Sequence, residues 1–99
     1  MPYFYKEYRI KIPQFLQGDG WKDTSWHNDV TASSTRVEKT KSGLELVVFV
    51  HPARRSAREL PTYPRFSILL YNTAGDAVEM REASTADGCQ KAITELAEI

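Results

Sequence analysis

At 99 residues, 41% hydrophobic and 26% charged, the chain has the size and composition of one domain (1–99) built on a single two-layer core. Its 13 basic and 13 acidic side chains cancel, which weighs against a dedicated, strongly basic nucleic-acid binder. No apolar run approaches the ~20 residues that span a bilayer, and the start lacks the basic and apolar regions of a signal peptide, so a cytoplasmic protein is expected.

Residues 3–12 alternate as a first strand, with Phe4, Tyr8, Ile10 and Ile12 on one side and Tyr3 and Tyr5 on the other, and Pro13 ends it. From Gln14 to Ser34 no period is sustained, and Gly18, Asp19, Gly20, Asn28 and Asp29 favour turns. This stretch reads as a long loop holding both tryptophans, Trp21 and Trp26. Residues 35–41 read as the polar edge arm of a hairpin that closes at Ser42-Gly43, its edge protected by Arg36, Lys39 and Lys41. The other arm, 44–50, is the longest apolar run. Leu46, Val48 and Val50 would face one side, and Val47 and Phe49 the other, so both faces of this strand call for cover.

A proline-punctuated connection follows (51–64), and then Phe66–Tyr71 and Ala77–Arg81 form a second hairpin across Asn72–Asp76. The end is a helix, with Ser84 and Asp87 in the layout of a capping box and Ala86, Cys89, Ile93, Leu96 and Ala97 in one apolar stripe. The fold class expected is α+β, a largely antiparallel sheet of about five strands with one C-terminal helix on one face. Trp21 and Trp26 are the candidates to cover the other face.

Two constellations could carry function. The first is Trp21-Lys22-Asp23-Thr24-Ser25-Trp26-His27-Asn28-Asp29. His27 with Asp23 or Asp29 and a nearby hydroxyl contains the ingredients of proton transfer, but sequence-adjacent residues seldom converge as a catalytic set does. Asp23 and Asp29 suit a turn as backbone acceptors, and Trp21, Trp26, His27 and Asp29 suit a contact surface of aromatics ringed by polar groups. The second is Arg54, Arg55, Arg58 and Arg65 with Tyr63 and His51, a set able to meet an acidic protein surface or phosphates, or to remain a solvated loop. Two histidines and one cysteine give no metal-ligand spacing, and Cys89 on the helix stripe reads as a core residue, so neither metal nor cofactor is expected.

The string WKDTSWHND followed by Ser33-Ser34 resembles a "DTSW-ND" pattern in small uncharacterised proteins of phages and other mobile elements. The likeness covers residues 21–34 alone, and the cysteine-proline-serine that ends the pattern is replaced here by Val30-Thr31-Ala32-Ser33. The resemblance implies no activity. It does imply an accessory protein that acts by binding, for example an inhibitor of a host system. The function expected is therefore non-enzymatic binding of a protein partner through the tryptophan loop (14–34) and the arginine loop (51–65). The alternative is nucleic-acid binding by Arg54, Arg55, Arg58 and Arg65 with a tyrosine-bearing sheet face, and a dimer through an exposed sheet face or edge is a further expectation.

Overall fold

A computed structural model of the chain describes residues 12–24, 32–52 and 63–99. Its sheet is five-stranded and antiparallel throughout, with neighbours in space following the order of the chain: β1 (Trp21–Asp23), β2 (Ala32–Arg36), β3 (Glu45–Val50), β4 (Phe66–Tyr71) and β5 (Ala77–Ala83). One helix, α1 (Ala86–Ala97), packs across β3, β4 and β5. The α+β class and the helix on one face are as the sequence implies.

The central strand behaves as its pattern requires. Leu46, Val48 and Val50 are fully buried and meet Phe66, Ile68 and Leu70 of β4 and Cys89, Ala92 and Leu96 of α1. A second cover lies beside the helix. Pro13 is followed by a single 3₁₀ turn, Gln14–Leu16, whose Leu16 is buried and whose Phe15 tilts against Phe66 with ring centroids 6.2 Å apart. Ser34 on β2 reaches this turn with its buried hydroxyl, which donates to the Leu16 carbonyl. The core is thus roofed by two pieces of chain from opposite ends of the described sequence.

The first strands depart from the sequence reading. The stretch 14–34, expected as a loop, contributes β1 and the start of β2, so β2 begins at Ala32 and is interior, not an edge. These residues are too short and polar to announce a strand. They pair through the backbone in register with β2, and just past β1 Thr24 Oγ1 lies 2.7 Å from Ser33 Oγ and 3.1 Å from Thr35 Oγ1, hydroxyl contacts across the pair. The strand expected over 3–12 falls outside the described residues but for Ile12, which packs against the core.

Trp21 corrects a second expectation. It pairs with Arg36 in the register that puts Ser34 opposite Val48, and it packs, half-buried, at the margin of the helix-side core rather than on the far face. On that far face exposure rises toward β5: Val47 is buried, Leu69 is half-buried, and Val78 and Met80 are each 51% exposed. Trp26 lies outside the described residues.

The helix is capped one residue later than expected. Thr85, not Ser84, is the N-cap, and its Oγ1 accepts from the Gly88 N–H at 3.0 Å. The buried stripe is Cys89, Ala92 and Leu96, while Ala86 is exposed. At its far end the helix is held by the β2–β3 turn: the Ser42 N–H donates to the Ile99 carbonyl at 2.8 Å, and Lys41 Nζ lies 2.6 Å from a Glu98 carboxylate oxygen. That ion pair raises the Lys41 pKa and lowers that of Glu98, in both cases mainly through their mutual hydrogen bond.

Candidate functional site

At one end of β3 and β4 the chain builds a small polar and aromatic cluster. His51 directly follows β3 and Arg65 directly precedes β4. The His51 N–H donates to the Arg65 carbonyl at 2.8 Å, and Arg65 Nη1 donates back to the His51 carbonyl. The ladder thus continues one pair beyond the strands, with a guanidinium serving where a backbone N–H would. The same guanidinium lies 5.2 Å from the centroid of the Phe66 ring, a cation–π arrangement.

The His51 side chain is buried. Its Nε2 lies 3.2 Å from Ser67 Oγ, and the Tyr63 ring tilts against it with centroids 4.9 Å apart. A hydrogen-bonded serine and histidine are the raw material of a nucleophile and its base. Here the imidazole is packed between strand and tyrosine, an arrangement that ties the ends of the 53–62 connection to the sheet. His51 and Ser67 act as the fixed floor on which Tyr63 and Arg65, both half-buried, are presented.

Of the residues singled out from the sequence, the structure brings together Tyr63, Arg65 and His51. Trp21 stands apart, in the row of Arg36 and Leu46 rather than the row of Ala32 and Val50. Four steps along β3 separate the rows, about 13 Å at ~3.3 Å per residue. Trp26, His27, Asp29, Arg54, Arg55 and Arg58 lie outside the described residues, and of the proposed acid–base set only Asp23 is described, exposed at the end of β1.

Ser67 was not singled out from the sequence. Its one local signal is that it is the polar residue in the otherwise apolar run Phe66–Leu70, set on the far face with Leu69. Among the described residues no cluster of histidine, cysteine and carboxylate side chains could hold a metal ion. Cys89 is a free thiol sealed in the core, and burial pushes its pKa up to about 12, out of range for a nucleophile. Among the described residues no helix is long and apolar enough to cross a membrane. No known protein family, curated protein or solved structure matches the chain.

Proposed function

We propose that the protein is a small non-enzymatic binding domain, of accessory or inhibitor type, that engages a protein partner at the end of the sheet where His51, Tyr63 and Arg65 converge. The observation that carries this reading is the half-buried pair Tyr63 and Arg65, set against a buried His51 that meets the half-buried Ser67. Tyrosine and arginine dominate binding energy at protein interfaces, and fixing them before contact lowers the entropy lost on binding. Arg54, Arg55 and Arg58, which lie in sequence between Pro52 and Tyr63, and Trp26, His27 and Asp29 belong to the proposed surface on their residue types. The likeness of residues 21–34 to small proteins of phages and mobile elements supports the accessory role. A free, buried Cys89 suits a reducing compartment and supports the reading of a cytoplasmic protein.

The nucleic-acid alternative is the weaker reading because the chain's 13 basic and 13 acidic side chains cancel, where a dedicated nucleic-acid binder is strongly basic. The test is affinity capture from lysate with the wild type and with Tyr63→Ser, Arg55→Ala and Trp26→Ala, each first shown to keep the wild-type melting temperature. Loss of one and the same protein from the variants supports the proposal. Retention by all three sinks it, and affinity for RNA or DNA that falls steeply with salt would point to the alternative.

A further inference from the structure

The outer edge of the sheet at β5 carries a separate message, independent of the partner proposed above. The His51 N–H bond to Arg65 fixes the phase of the ladder: alternate residues of β4 point their backbone groups toward β3 or toward β5. Ile68 and Leu70 therefore bond across to Arg81 and Glu79, and Met80, opposite Leu69, turns its N–H and carbonyl outward. Among the described residues no strand meets them. The neighbouring side chains fill in instead. The Met80 N–H donates to Glu79 Oε1 at 3.2 Å, Arg81 Nη1 donates to the Met80 carbonyl at 3.0 Å, and the two side chains close on each other at 2.7 Å. They occupy the places that the carbonyl and N–H of an added strand would take.

We propose that the added strand is β5 of a second copy of this chain, paired antiparallel about a two-fold axis through Met80. Charge selects both the occupant and the register. Centred on Met80, the pairing sets Glu79 of each copy directly opposite Arg81 of the other. These fall at non-hydrogen-bonded positions, where opposing side chains approach most closely. Centring on Glu79 or on Arg81 would set like charges face to face. The backbone agrees with the same choice: Met80, with regular pairing at Glu79 and Arg81 on either side of it, bonds with Met80 of the second copy. The two-fold stands normal to the sheet, so both helices lie on one face. On the other face the row Val47, Leu69, Met80 continues into Met80, Leu69, Val47 of the second copy, covering the half-exposed Met80 side chains with each other. The contact is isologous and closed, as two-fold dimers are.

Sedimentation velocity with the full chain, from about 1 µM to about 1 mM, reads the mass directly. The expected result is a shift from 11.3 kDa toward twice that value. Arg81→Glu or Glu79→Arg should weaken the dimer at least tenfold by opposing like charges, and the double exchange should restore it. Met80→Cys should cross-link two copies on mild oxidation, because Cα atoms of a hydrogen-bonded pair sit ~5.5 Å apart, within disulfide range. Val78→Cys, whose counterpart is Glu82 of the second copy, should not. A monomer at every concentration overturns the proposal. So does a dimer indifferent to the charge variants, or one in which Val78→Cys cross-links as readily as Met80→Cys. A different protein captured on β5 in place of a second copy also overturns it.

Discussion

Ser34 Oγ donates a 2.8 Å hydrogen bond to the carbonyl oxygen of Leu16, and both residues are buried. Eighteen positions apart in sequence, they hold the 3₁₀ turn over β2 and seat Leu16 in the core. Ser34→Ala leaves a buried carbonyl without this donor, so the variant should lose about 1–3 kcal/mol of stability. Urea unfolding followed by tryptophan fluorescence measures it; a loss below a few tenths of a kcal/mol would show that the turn does not depend on the bond.

Thr85 and Gly88 should behave as a coupled pair. Thr85→Ala removes the helix cap and should cost about 1 kcal/mol. Gly88→Ala adds a helix-favouring residue, intrinsically worth about 1 kcal/mol, but its Cβ would come within 3.2 Å of Thr85 Oγ1 and 3.4 Å of Ala83 Cβ. In the wild-type background the substitution should be close to neutral. In Thr85→Ala the obstruction is gone and Gly88→Ala should stabilise; a double-mutant cycle by thermal melting reads the difference.

Cys89 should be chemically silent in the folded protein. It is completely buried, with its pKa pushed up to about 12, so a thiol reagent at pH 8 should label it only as fast as the chain opens. Cys89→Ser places a hydroxyl in the apolar core and should cost about 1–3 kcal/mol. Rapid labelling of native protein would contradict the burial.

The Lys41–Glu98 clasp should respond to pH at both extremes. Glu98 has its folded pKa lowered from 4.5, so its stabilising contribution is present above that value and is lost as pH falls through the lower folded one. Lys41 has its folded pKa raised from 10.5, so its contribution is full below that value and is lost as pH rises through the higher one. Both side chains are well exposed, and the effect on global stability should be slight. The sensitive probe is the amide resonance of Ser42, which donates to the Ile99 carbonyl beside the pair: on acidification it should shift with a midpoint below 4.5.

What could be read from the sequence divides along physical lines. β3, β4 and the helix declare themselves because burial imposes a pattern on side chains close in sequence, and Leu46, Val48 and Val50 face the helix as their alternation requires. β1 carries no such pattern: Trp21-Lys22-Asp23 is a strand by its pairing with Ser34–Arg36 of β2, which its own three residues do not announce. Ser84 is by type at least as good a cap as Thr85, and it is the reach of Thr85 to the Gly88 N–H that decides between them. The His51–Ser67 link was hidden for the same reason as the Ser34–Leu16 bond. Each joins residues that only strand register or the placing of a turn brings together, and no local periodicity encodes such a meeting.

Strand order that follows chain order has a consequence for how the protein is made. Each pair of neighbours in β1–β5 is joined by a single connection without crossover, so every strand can zip onto a hairpin already formed, in the direction of synthesis. The exception is the fastening of Ser42 to Ile99, which cannot form until a stretch 57 residues further along the chain has been made. A chain truncated before residue 84 would carry the whole described sheet with the side of β3 and β4 that α1 covers exposed, a form prone to aggregate. Assembly therefore turns on the helix following the sheet promptly, and on its end being caught by a turn made half a chain earlier.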